Sequence, residues 1–205
     1  MRVVGDVVTA FAAGTFMLAG SALIAGTGAV AARIVAHEVV AVADGFGWLL
    51  GDEGSGRWMG LQALRFAVRD WPSTLASRVA AHAGAASVDA LIRWAQGLPL
   101  AAIDALAPVV CAAARDGDAA ALFIAADASR RLLATLDQVA ADGPVVLAGG
   151  LLAADTPVRL RVLSALQARG ATVGTSRDPA AAAAWPAARP LSALGGPALH
   201  AALLG

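Results

Sequence analysis

Four short stretches carry the residues that could do chemistry. Gly47-Trp48-Leu49-Leu50-Gly51-Asp52-Glu53-Gly54-Ser55-Gly56 sets two adjacent carboxylates among glycines in a chain that is 59% hydrophobic. The two carboxylates read locally as first-turn acids favoured by a helix dipole, with Ser55 as the cap. Gly45, Gly47, Gly51, Gly54 and Gly56 exceed what a cap needs. Because each glycine costs conformational entropy, that density points to a loop that approaches something closely. Ile24-Ala25-Gly26-Thr27-Gly28 reads as a strand entering a turn, either a plain hairpin or a cradle whose backbone N–H groups and Thr27 hydroxyl meet an anion. Val146-Leu147-Ala148-Gly149-Gly150 ends a buried strand on glycines that either admit a nucleotide or release the chain into a helix. Asp6 follows an apolar run, where it serves either as a general base for a substrate hydroxyl or as the cap of the next helix.

These residues need a frame. Arg2–Gly5 is predicted as a short strand and Val7–Ala13 as the start of a helix, followed by strands at Ser21–Ala25, Ala29–Val35 and Glu38–Ala43 in an antiparallel meander. Trp58, Leu61, Leu64, Ala67 and Val68 recur at helical intervals, so Ser55–Asp70 is predicted as an amphipathic helix. Further helices are expected at Ser73–His82, Val88–Gln96, Leu100–Arg115 and Ala119–Ala141. A buried strand at Pro144–Ala148, a helix at Pro157–Ala168, a strand at Ala171–Thr175 and closing helices at Pro179–Ala188 and Gly195–Leu204 complete the chain. Pro186 should kink or end the first of these. The order is that of an α/β ribonuclease-H-like lobe, with the helices between about residues 73 and 115 as an insertion.

Composition removes several function classes. Basic and acidic residues both number 15, so nothing in the charge favours nucleic acid or an anionic membrane. All the basic residues are Arg, which makes Arg a poor marker of function here. One cysteine, Cys111, excludes an internal disulfide and suits a reducing, cytoplasmic setting as a buried thiol. Val7–Ala32 carries no charge and is long enough to span a bilayer, yet its glycines and hydroxyl residues divide it into helix-like and strand-like pieces, and no membrane partner is expected. His37, His82 and His200 are scattered, so no protein-built metal centre emerges. Trp58, Trp71 and Trp94 fall on helical faces as core residues.

The run Asp44–Gly56, with Gly26-Thr27-Gly28 before it and Val145–Gly150 after it, resembles the BadF/BadG/BcrA/BcrD-type ATPase and N-acetylglucosamine kinase family, of the sugar kinase, actin and heat-shock chaperone superfamily. The resemblance implies an actin-like ATPase fold and phosphorylation of an amino sugar such as N-acetylglucosamine by ATP with Mg²⁺, in a cleft between two lobes. It matches Asp6 with the general base, and Gly26, Thr27 and Gly28 with the second phosphate-binding turn. Gly45, Phe46, Gly47 and Asp52 match the sugar-contacting loop, with Glu53 as its support, and Ala114, Gly149 and Gly150 match the nucleotide site. The departures are specific. No Asp-Gly-Gly-Gly-Thr phosphate loop occurs in the sequence, Arg57 stands where an aromatic residue is usual, and Ala29 where Ser is frequent. Residues 1–19 thus read as the end of an N-terminal lobe and 20–205 as the C-terminal one, with impaired kinase activity expected and a homodimer or a separate N-terminal lobe as the partner. The alternative is a non-catalytic sugar- or nucleotide-binding module, or an ATPase of the activator type.

Overall fold

Along the central strands buried side chains alternate between two sets, so the sheet has to be covered on both faces. The computed structural model describes residues 5–97, 100–176, 182 and 196–204. Strands β1 (Gly20–Ala25), β2 (Ala29–Val35), β3 (Glu38–Asp44), β4 (Val145–Ala148) and β5 (Val173–Thr175) form one sheet in the order β3-β2-β1-β4-β5. The first three are the expected antiparallel meander; β4 then pairs with β1, and β5 with β4, both in parallel. Ala25 opposite Ala29 closes the first hairpin around Gly26-Thr27-Gly28. The second turns through Ala36 and His37, both at positive φ (51° and 62°), as a two-residue hairpin with right-twisted strands requires. Between Arg33 and Ile34 the β2–β3 register slips by one residue, leaving Val40 as the extra residue on the outer strand.

On one face, Ala22, Ala32, Ile34 and Val146 pack around Phe11 of α1 (Asp6–Gly14), which is fully buried. A Cβ at Gly14 would lie 2.4 Å from a Val146 methyl, so this glycine is what lets α1 settle on β4. Helix α10 (Gly196–Leu204) meets the outer side of α1 through Leu199, against Ala12 and Ala13. On the other face, Leu23, Ala31, Ala43, Val145 and Leu147 join the main core with α2 (Gly56–Ala67), α6 (Leu106–Arg115), α7 (Ala119–Asp137) and α9 (Pro157–Ala168). Ser55, Asp118 and Thr156 cap α2, α7 and α9, each side chain accepting a first-turn N–H. Helix α3 (Thr74–Ala83) packs on α2 and α6, α4 (Val88–Gly97) meets α3, and the four-residue α8 (Gly150–Ala153) follows β4 directly.

Three expectations change. The single helix over Leu100–Arg115 is two, α5 (Leu100–Asp104) and α6, because Pro108 lacks an N–H and its ring collides with the carbonyl four residues back, at Asp104. The helix predicted to reach Ala141 ends at Asp137. Val7–Ala32, by contrast, divides as expected into a short helix and strands, and no helix among the described residues is long and apolar enough to cross a membrane. Asp6 does not follow a described strand: Gly5 is the N-cap of α1 and Asp6 its first residue. Arg2–Val4 and, apart from Ala182, Pro179–Ala188 lie outside the described residues.

Candidate functional site

The acidic loop is held from within. Asp44, at φ 62°, closes β3 and turns its carboxylate back over the loop: Oδ1 accepts from the backbone N–H of Gly45 (2.8 Å) and Asp52 (2.7 Å), and Oδ2 from that of Glu53 (2.9 Å). A Cβ on Gly51 would fall 2.1 Å from Asp44 Oδ1, which accounts for that glycine. Asp52, also at positive φ (57°), reaches across to the first hairpin, where its Oδ1 accepts from Ala29 N–H at 3.0 Å. A Cβ on Gly28 would stand 3.0 Å from both Asp52 carboxylate oxygens, so the glycine makes room for the carboxylate. Glu53 pairs with Arg131 of α7, whose guanidinium also bonds Asp127 and lies 4.9 Å over the Trp58 ring. Burial alone would push the Asp127 carboxyl up, but hydrogen bonds and charge from Arg131 and Arg130 hold it below its ordinary value. What the loop turns to solvent is apolar: Phe46, Leu49 and Leu50 are 70%, 75% and 79% exposed.

The glycine turn is gripped at three points. Besides Ala29 N–H on Asp52, Gly56 N–H donates to the Gly26 carbonyl at 2.7 Å and Arg57 N–H to the Thr27 carbonyl at 3.4 Å. Thr27 itself is exposed at the crest. Thr27, Gly28, Gly45, Asp52 and Gly149, drawn from three separate turns at the ends of strands, line one cavity of about 300 Å³. Gly149, at φ 81°, is where β4 passes β1, and a Cβ there would come within 2.4 Å of the Ala25 carbonyl oxygen.

A larger groove of about 540 Å³ opens on the other side of the same turn. Gly26, Thr27 and Gly56 form one wall, Gly150 and Leu151 of α8 another, and Ala107, Pro108 and Cys111 of α6 the third. A Cβ on Gly150 would meet nothing within 4 Å, so this glycine leaves the floor open. The lining is mostly apolar with a few polar groups, the makeup of a pre-formed small-molecule site. Asp104 sits on the wall, paired through both oxygens with Arg57 (2.6 and 2.7 Å). Arg115 spans the rim to the Asp155 carbonyl. Burial pushes the Cys111 thiol up despite Arg115 nearby, so it is a packing residue and not a thiolate.

Of the residues singled out from the sequence, Gly26, Thr27, Gly28, Gly45, Asp52, Gly149 and Gly150 come together around these two spaces. Phe46 and Gly47 lie on the exposed face of the loop, and Glu53 is turned toward α7. Ala114 is buried in the main core, and its neighbours Cys111 and Arg115 line the groove instead. Asp6 is exposed at the start of α1, its Oδ1 accepting from the next residue's N–H at 2.8 Å. Val7 borders the same apolar cluster as Ile24, which lines the smaller cavity. Sequence reasoning gave no role to Asp44, Arg57, Asp104 or Arg131. Asp44 alone left a local signal, the Asp-Gly step after an alternating strand, which marks a turn.

With this geometry in hand, comparison with known proteins is decisive for the family. Residues 1–188 match the BadF/BadG/BcrA/BcrD ATPase family. The chain belongs to that family. No curated protein matches it. Among solved structures, a Chromobacterium violaceum protein provisionally assigned as an N-acetylglucosamine kinase superposes with a TM-score of 0.71 at 25% identity, over 88% of this chain and 64% of the other. A Porphyromonas gingivalis protein of the same provisional assignment gives 0.65 at 22% identity, over 85% and 62%. A ROK-family glucokinase from Streptomyces griseus, solved with glucose and AMPPNP, gives 0.51 at 17% identity, over 85% and 62%. This BadF-type chain therefore has the fold of an actin-like ATPase lobe, and it spans just under two thirds of the length of these relatives.

Proposed function

We propose that this BadF-type chain binds ATP in the larger groove and presents its terminal phosphate, at the Thr27 turn, to an amino sugar such as N-acetylglucosamine in the smaller cavity. The observation that carries the reading is that Thr27, Gly45, Asp52 and Gly149 line one space beside a groove sharing Gly26 and Thr27. In this reading residues 1–19 end an N-terminal lobe and 20–205 form the C-terminal lobe.

Phosphoryl transfer is largely positioning and charge neutralisation. Thr27 and the turn's backbone N–H groups meet the phosphates, and Asp52 holds the turn by Ala29 while contributing a carboxylate to the cavity wall. Asp6 accepts the proton of the sugar hydroxyl as its oxygen takes the γ-phosphoryl group and ADP leaves. Among the described residues no three His, Cys, Asp or Glu form a metal-binding group. When bound, Mg²⁺ on the nucleotide's own phosphates supplies further charge neutralisation.

Calorimetry with ATP and with N-acetylglucosamine, alongside a coupled ADP-release assay on the 205-residue chain, tests this. ATP binding with little sugar-dependent turnover is expected, because the sequence lacks an Asp-Gly-Gly-Gly-Thr loop to embrace the phosphates from the second side. Absence of ATP binding defeats the groove assignment. Turnover at ordinary kinase rates, about 1–100 s⁻¹, defeats the impairment. One observation favours a second reading, an activator-type ATPase or a binding module that faces a partner: Phe46, Leu49 and Leu50 present apolar surface where a sugar calls for polar contacts. Tight ATP binding with no affinity for any amino sugar would select it.

A further inference from the structure

The larger groove holds a charge arrangement that neither packing nor the proposed catalysis uses. Asp104 is the last residue of α5, the helix end at which a cation, not an anion, is favoured, so its carboxylate does not serve that helix. It lines the groove beside Gly26, Thr27 and Gly56, on the path from the apolar wall of α6 to the Thr27 crest. Left alone, it would repel a polyphosphate.

Arg57 stands directly against it. The guanidinium makes a two-pronged contact, Nε to Oδ1 at 2.6 Å and Nη2 to Oδ2 at 2.7 Å, with only 18% and 13% of the two side chains exposed. The geometry is fixed from both sides. Arg57 N–H is bonded to the Thr27 carbonyl, and Gly60 lets α2 approach α5 so closely that a Cβ there would lie 2.3 Å from the Ile103 carbonyl oxygen. The hydrogen bond to Asp104, more than any other influence, raises the affinity of Arg57 for its proton, and Asp52 adds to it. The other charged side chains on the groove are Arg115 and Asp155, at the opposite rim.

We propose that Arg57 makes this wall permissive to a nucleoside polyphosphate by cancelling the charge of Asp104, so that it governs the choice of ATP over uncharged adenosine without touching the nucleotide. The inference rests on the groove being the nucleotide site. Calorimetry with ATP and with adenosine, on the unaltered chain, Arg57→Gln, Asp104→Asn and the double variant, tests it at about 20 and about 150 mM salt. Arg57→Gln should weaken ATP about tenfold at the lower salt, the order expected for one uncompensated carboxylate within a Debye length of a polyphosphate in a partly screened groove. Adenosine should change less than about twofold. The double variant should restore ATP to within about threefold, and the ATP deficit of Arg57→Gln should shrink at the higher salt. Equal losses for both ligands, or no rescue by the second substitution, overturn the inference and leave the groove assignment standing. Should Arg57→Gln fail to fold, Asp104→Asn decides: ATP bound as tightly or more tightly with adenosine unchanged supports the proposal, and weakened ATP overturns it. Binding of neither ligand by the unaltered chain overturns the groove assignment and the inference together.

Discussion

Removing the Asp44 carboxylate should open residues 44–53 without unfolding the sheet. In Asp44→Ala three backbone N–H groups lose a charged acceptor, at 2.8, 2.7 and 2.9 Å. The loop is half exposed, so the freed N–H groups hydrate, and each bond counts for about 1 kcal/mol, below the range for shielded charged pairs. The sum, about 3 kcal/mol, corresponds to roughly a hundredfold rise in local opening. Asp44→Asn keeps an oxygen for Gly45 and Asp52 but turns an amide N–H₂ toward the Glu53 N–H, donor against donor, which should cost about 1–2 kcal/mol, roughly tenfold. Residue-resolved amide hydrogen exchange at Gly45, Asp52 and Glu53 reads both variants, with the β1 and β4 amides as the internal reference. Unchanged protection at Asp52 and Glu53 in a folded Asp44→Ala variant refutes the idea that this carboxylate holds the loop.

Two neighbouring glycines should respond in opposite ways. Gly149→Ala forces a side chain onto φ 81°, ψ 155° and against the Ala25 carbonyl at 2.4 Å, and should cost about 3 kcal/mol or more, lowering Tm by about 6–12 °C. Gly150→Ala should leave Tm within about 2 °C while weakening ATP binding measured by calorimetry, since its methyl group enters the groove. On the acid side, the Asp127 carboxyl titrates below its unfolded value near 3.9, so its ion pairs contribute fully above about pH 5 and fade as pH falls through the folded pKa. Urea unfolding midpoints from about pH 6 to 2.5 should therefore fall less steeply in Asp127→Asn than in the unaltered chain; identical slopes would contradict the assignment.

How much of this was legible in the sequence differs by the range of the interaction involved. The meander could be read because three short β-rich runs are separated by Gly26-Thr27-Gly28 and Ala36-His37, which are the observed turns. The division of α5 from α6 was available in Pro108, yet the apolar residues on both sides of Asp104 read as one helix. The carboxylates of the acidic loop were seen, but not their partners. Arg131 meets Glu53 across 78 residues, Arg57 meets Asp104 across 47, and Asp52 finds Ala29 N–H across 23, separations at which no periodicity operates. Ala114 and Arg115 are adjacent, and a shift of one position on a helix is enough to exchange core for groove.

Val35, Val39, Val40 and Val42 are all exposed on or beside β3, the outer strand of the described sheet on its antiparallel side. A flat apolar edge strand is a template on which identical chains can pair. The one-residue slip at Arg33 and Ile34 bends the strand at Val40 and breaks the even ladder that a stacking copy would have to match. Deleting Val40 should restore an even ladder along that border and remove this obstacle to edge-to-edge pairing.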